Sequence, residues 1–207
     1  HAIERYSRGS LADPGQRQPN WNRSFELPID AATGGVLLLH GMSDSPYSLR
    51  AIGEELQQRG YHVLGLRMPG HGTVPAGLAT AEWEDWFEAV AVAARHVRAE
   101  VGAEAPLLMA GYSNGGALAM KYALDAIEDR SLPHPDRLVL ISPMIGVTSM
   151  ARFAGIVGWP ALFPSFARAA WLGIVPEFNP FKYNSFPVNG ARQSSLVART
   201  LQAQITR

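Results

Sequence analysis

Residues 111 to 116 read Gly-Tyr-Ser-Asn-Gly-Gly, which places Ser113 between two glycines at the spacing Gly-x-Ser-x-Gly. A serine hydroxyl is a weak nucleophile until a base takes its proton, but once activated it can attack an acyl carbon and form a covalent intermediate. The five-residue pattern is weak alone, so its surroundings must decide. Before it runs Pro-Leu-Leu-Met-Ala, a short apolar stretch that predicts a buried strand. After it, Asn-Gly-Gly-Ala-Leu-Ala-Met-Lys-Tyr-Ala-Leu predicts a helix. Strand, tight turn and helix are what an exposed nucleophile on a sharp elbow requires. Gly111 and Gly115 fit that turn because strand and helix backbones approach too closely for a Cβ. Ser113 is then expected at the apex, in a strained conformation.

A second constellation stands at His40-Gly41-Met42, where the run Val-Leu-Leu-Leu ends. Acyl transfer develops negative charge on the carbonyl oxygen, and preorganised backbone N–H groups stabilise it. Losing one such donor typically costs about 3 kcal/mol of transition-state stabilisation. In this layout the donors are the N–H groups of Met42 and Asn114, the second opening the helix after Ser113, whose polarity adds a favourable field.

These groups need a scaffold. Ser-Phe-Glu-Leu-Pro reads as a first strand, and four clearer strands lie at Gly34–Gly41, His62–Gly72, Pro106–Ser113 and Asp136–Gly146. Amphipathic helices separate them: one carries Leu49, Ile52 and Leu56 on one face and stops at Gly60. A longer one follows Thr80, with Glu82, Glu84 and Asp85 in an acidic first turn. Core packing is the expectation for its Trp83 and Trp86. Strand and helix alternating in this way predict a mostly parallel sheet with helices on both faces. Residues 1–23 are polar and aperiodic, a surface lead-in; 24–146 form the core; 147–207, rich in aromatics and without a clear strand, are expected to form a helical cap or lid. The last segment places Leu196, Val197, Leu201 and Ile205 near one helical face. Ala154–Pro176 is the most apolar stretch, yet prolines and Arg168 interrupt it before the roughly 18 residues of a membrane span.

Composition narrows the field. Of 207 residues 47% are apolar and 17% charged, and 18 basic residues balance 18 acidic ones, so no net field favours nucleic acid. The absence of cysteine excludes disulfides, thiolate metal sites and a cysteine nucleophile. No metal-binding motif or phosphate-binding loop is evident, so neither metal nor other cofactor is implied. His1 in place of Met indicates processing or trimming, and the compartment stays open.

Three motifs, Leu-Leu-Leu-His-Gly-Met-Ser-Asp-Ser-Pro, Met-Pro-Gly-His-Gly-Thr-Val-Pro and Gly-Tyr-Ser-Asn-Gly-Gly, occur in this order. Through them the chain resembles the α/β-hydrolase superfamily, and within it the bacterial carboxylesterases and monoacylglycerol lipases. The resemblance covers about residues 34–146. It implies an α/β-hydrolase fold, a Ser113 nucleophile, oxyanion donors at Met42 and Asn114, a bracing His40 beside Gly41, and hydrolysis of carboxylic esters; the apolar cap adds the expectation of a small apolar ester as substrate. His71 and Tyr112 are candidates for lining the site. Thioesterase, peptidase and acyltransferase chemistry, or ligand binding without catalysis, would use the same parts.

The resemblance also implies an acid and then a histidine after the serine. The last histidine is His134 and the last aspartate Asp136. His62 begins a strand, at the end away from the site; His96 falls on the polar side of a helix; His134 sits in a surface turn; His71 breaks the family's chain order. Glu177 is expected to face solvent. The acid and the histidine are therefore expected beyond Arg207, with the C-terminal strands of the fold. At about 30 residues per strand–helix unit, this amounts to roughly 60 to 90 residues.

Overall fold

The computed structural model describes residues 8–146 and 169–206. Five strands, β1 (Phe25–Leu27), β2 (Gly34–Leu39), β3 (Tyr61–Leu66), β4 (Leu107–Tyr112) and β5 (Arg137–Ile141), form one sheet in the order β1-β3-β2-β4-β5. β3, β2, β4 and β5 are parallel, and β1 runs antiparallel along the β3 edge. A parallel strand covered on both faces needs apolar side chains throughout, and every residue of β2 is buried.

The faces of β2 alternate. Val36 and Leu38 join Val63 and Leu49 under α1 (Arg50–Gln58). Leu37 and Leu39 join Met109, Trp86, Val90, Leu118 and Tyr122 under α2 (Trp83–Val101) and α3 (Asn114–Glu128). At the far edge β5 is less covered, and Val139 is 50% exposed.

Two helices differ locally from expectation. α1 starts after a 3-10 turn at Pro46–Leu49, and its inner face is Leu49, Gly53 and the half-buried Leu56; Ile52 is exposed. Gly53 explains the shift, because its bare Cα lets the helix press on the sheet: a Cβ there would stand 3.1 Å from Leu38 and 3.3 Å from Val63. α2 begins at Trp83, two residues later than the sequence suggests. Glu82 forms a reciprocal capping box with Asp85 and so takes the N-cap.

Most of the aromatic stretch lies outside the described residues, including Phe153, Trp159, Phe163 and Phe166. Beyond it the sequence shows no clear strand, but the structure has a short antiparallel ribbon, β6 (Trp171–Gly173) with β7 (Phe186–Pro187). α4 (Val188–Ile205) follows and packs against α3 and α2, with Val197 and Leu201 in the same core cluster. Leu196 is half-buried and Ile205 exposed, because the buried stripe runs through Gln193, Ser194, Ser195 and Ala198 instead. Among the described residues no helix is long and apolar enough to cross a membrane.

Candidate active site

β2 and β4 are neighbours, and the loops leaving their C-terminal ends meet. Ser113 stands between β4 and α3 with φ 54° and ψ −115°, a region sparsely populated by residues other than glycine. Such backbone costs of order 1–3 kcal/mol and persists only where its surroundings over-determine it. The surroundings here are backbone hydrogen bonds. Ser113 N–H donates to Ile141 O, while Ser113 O accepts from Gly116, Ala117 and Met144 N–H, all at 2.9–3.2 Å. A Cβ on Gly115 would overlap the Leu39 carbonyl oxygen, and one on Gly111 would overlap the Gly115 carbonyl. Glycine at both positions is a steric requirement of this elbow.

Ser113 opens into a cavity of about 400 Å³, lined also by Gly41, Met42, Tyr112, Met144, Phe186 and Ala191. Its polar walls are Ser43, Asp44, Lys182 and Ser194. Gly41 lies so close to the elbow that a Cβ there would meet the Tyr112 ring at 3.0 Å and Ser113 Cβ at 3.5 Å.

His40 sits beneath this loop, buried. Its Nε2 accepts a hydrogen bond from Met68 N–H at 3.1 Å, so Nδ1 carries the proton and donates to Gly41 O at 2.8 Å. The ring thus joins the Gly41-Met42 loop to the loop after β3. Burial, aided by the neighbouring His71 and Arg67, pushes its pKa down to about 3, and it stays neutral.

His71 does not line the cavity. It is buried behind the loop, its Nδ1 2.9 Å from Pro69 O and its Nε2 2.7 Å from Met42 O. Two carbonyls favour a doubly protonated ring, yet burial outweighs them and lowers the pKa. A neutral ring donates to one of these carbonyls and abuts the other; with both nitrogens facing backbone oxygens, His71 braces the loop and offers neither to Ser113.

The remaining histidines lie elsewhere. His62 and His96 both meet Glu26, and His134 is exposed in the turn before β5. Glu177 corrects the expectation of exposure: it is 2% exposed, and its carboxylate accepts hydrogen bonds from Asn184 and Ser185 N–H, folding its own loop. Among the described residues no histidine lines the cavity.

Three features escaped sequence reading. Ser194 on α4 donates a hydrogen bond to Asn114 Oδ1 at 2.7 Å, in a buried contact 80 residues apart in sequence. Asp44 Oδ2 lies 3.6 Å from Lys182 Nζ, and burial raises the Asp44 pKa against the opposing Ser45 N–H and Lys182. Tyr183 N–H donates to Ser43 O at 2.6 Å, and its hydroxyl both donates to Gly70 O and accepts from Thr73 N–H. The segment before α4 is thereby tied to the loops that follow β2 and β3. Neither Asp44 nor Ser194 carried a sequence signal, since Asp44 stands between Ser43 and Ser45 and Ser194 between Gln193 and Ser195.

Comparison with known proteins agrees with this architecture. The Hydrolase_4 family, described as serine aminopeptidase, S33, matches residues 30–185. A thermostable monoacylglycerol lipase of Bacillus sp. (strain H-257) is 29% identical over 133 residues, covering 63% of this chain and 49% of that protein. A carboxylesterase of Bacillus subtilis (strain 168) is 26% identical over 147 residues, covering 71% and 56%. The chain thus spans about half the length of these curated relatives. Among solved structures, one from a study of the metagenome-derived lipolytic enzymes LipS and LipT superposes with TM-score 0.71 at 23% identity, covering 88% of this chain and 70% of that one. A Paleococcus ferrophilus monoacylglycerol lipase follows with TM-score 0.63 at 15% identity, covering 87% and 71%. The fold is that of the α/β hydrolases, and the chain belongs to the Hydrolase_4 family, serine aminopeptidase S33.

Proposed function

We propose that this chain carries the nucleophile and oxyanion hole of a serine hydrolase that cleaves carboxylic esters with apolar acyl groups. Ser113 Oγ attacks the acyl carbon, Met42 and Asn114 N–H groups receive the oxyanion, and water later releases the acid from the acyl-enzyme. The general base is a histidine outside the described residues, oriented by a carboxylate, as the resemblance to α/β hydrolases implies. His40 and Gly41 hold the oxyanion loop, and Gly111 and Gly115 allow the elbow. Tyr112 forms part of the cavity wall.

The observation that carries the reading is Ser113, held at φ 54° on the strand–helix junction and opening into the cavity beside Met42. The lining favours one substrate class. Met42, Met144, Phe186 and Ala191 offer apolar contact, while Asp44 and Lys182 pair with each other. A neutral acyl chain suits such a wall better than the charged amino terminus of a peptide, which would have to compete with Lys182 for Asp44. The lipase and carboxylesterase names of the relatives point the same way.

Intact-mass analysis after treatment with a fluorophosphonate, alongside hydrolysis of p-nitrophenyl esters, tests the reading. One adduct on Ser113, with labelling and hydrolysis both lost in Ser113→Ala, is expected. Hydrolysis that survives Ser113→Ala overturns it, and so does a parent protein that carries the histidine and still takes no label.

A further inference from the structure

At the opposite end of the sheet, three side chains from three elements converge. Glu26 lies on the edge strand β1, His62 is the second residue of β3, and His96 projects from α2. Glu26 pairs in register with Leu64, so it shares a sheet face with His62, the face that α2 covers. Both imidazole Nε2 atoms approach the same Glu26 Oε1 at 2.7 Å. The three ligand atoms all lie within 4.8 Å of one another. No role in the Ser113 chemistry involves this group, because the cavity is built at the other ends of β2 and β4.

We propose that Glu26, His62 and His96 form a zinc-binding site. Two imidazole nitrogens select a borderline transition metal over calcium or magnesium, which take oxygen ligands. Two histidines and a glutamate supply three of the four ligands of tetrahedral zinc, at about 2.0–2.2 Å from the ion, and water takes the fourth. Tetrahedral ligands at that radius stand roughly 3.3 Å apart, so the present 2.7 Å contacts must open by about 0.6 Å. The side chains that would move are free to do so: Glu26 is 38% and His96 44% exposed, while His62, at 5%, is the fixed point. Their exposure also gives the ion an entry path. Zinc takes the Nε2 lone pair of each neutral imidazole in its Nδ1–H tautomer, so the Nε2 hydrogen bonds to Glu26 give way to Nε2–zinc bonds and each ring keeps its one proton on Nδ1. The ion would then tie the short edge strand β1 to β3 and α2, and its binding free energy would add to fold stability.

The test uses the 207-residue chain freed of metal by chelator, titrated calorimetrically with ZnCl₂ and followed by thermal unfolding. Binding of one zinc per chain is expected. At a hundredfold excess over Kd, Tm should rise by about 5–10 °C. His96→Ala, an exposed change that leaves the fold intact, weakens binding by more than about tenfold and removes the Tm rise; Glu26→Gln does the same more mildly. Cobalt(II) should give the intense visible bands of a tetrahedral site in the parent and not in His96→Ala. No binding at millimolar zinc overturns the proposal. So does binding that survives His96→Ala unchanged, which would place the ion elsewhere, as at His1.

Discussion

Two pairs of histidines show two ways of building polar structure on one sheet. His40 and His71, under the elbow, spend their ring nitrogens on backbone groups: Gly41 O, Met68 N–H, Pro69 O and Met42 O. His62 and His96, at the other end, spend theirs on another side chain, Glu26. The first arrangement fixes loops, so it suits a site whose donors must stay aimed at a developing charge. The second leaves two of its three members half-exposed and adjustable, which suits an ion that arrives from solvent. The difference lies in burial and bonding partner, since the residue type is the same.

The comparison is broken most severely at Ser113. If the elbow end performs the chemistry, Ser113→Ala should lower ester hydrolysis by about 10⁴-fold or more, with Tm nearly unchanged because alanine keeps the same backbone and its hydrogen bonds. The same substitution should leave zinc affinity at Glu26 untouched. Steady-state kinetics and calorimetry on one preparation check both halves.

Rigidity of the elbow can be attacked next. Gly115→Ala would drive a Cβ into the Leu39 carbonyl, where backbone rather than a flexible side chain must yield. Overpacking of this kind should cost about 3 kcal/mol, the upper end of its usual range. In a chain of this size that corresponds to a fall in Tm of about 6–12 °C. A fall below about 2 °C would show that the elbow is more yielding than its contacts indicate.

His40 supplies the pH test. Its folded pKa of about 3 lies below the unfolded value of 6.5, so the unfolded chain binds its proton first as pH falls. The stability due to a neutral His40 is complete above pH 6.5 and lost progressively as pH falls toward 3. Between pH 7 and pH 5 the loss should be about 2 kcal/mol, with His71 titrating in the same sense. Urea unfolding at the two pH values measures it, and His40→Gln should flatten the dependence.

The sequence revealed the elbow end more fully than the rest, for a physical reason. Gly111, Gly115 and the apolar runs of β2 and β4 encode backbone geometry locally, and local constraints leave local patterns. Apolar periodicity puts Ile52 on the inner side of α1 because it ignores Gly53, whose small size sets which side meets the sheet. The burial of Glu177 is not legible because a carboxylate folded against its own loop's N–H groups has no pattern distinct from a solvated one. Glu26, His62 and His96, separated by 36 and 34 residues, meet only through strand register and helix packing. So do Asn114 and Ser194.

That last pair gives the smallest effect and the finest test of how the elbow end is held. Ser194 reaches from α4 to the side chain of Asn114, whose N–H is proposed to receive the oxyanion. Loss of the hydroxyl in Ser194→Ala leaves Asn114 Oδ1 buried without this donor, and should cost about 1 kcal/mol of stability. If the bond only glues α4 to α3, the effect ends there. If it also fixes Asn114 in line with the cavity, kcat falls about 3- to 10-fold beyond that while KM stays constant, because a donor misaligned at the transition state costs rate and not ground-state binding. Ser194→Thr retains the hydroxyl and should restore kcat. A kcat that follows Tm alone across the three proteins would assign Ser194 to packing, and would confine preorganisation of the elbow to the backbone bonds around Ser113.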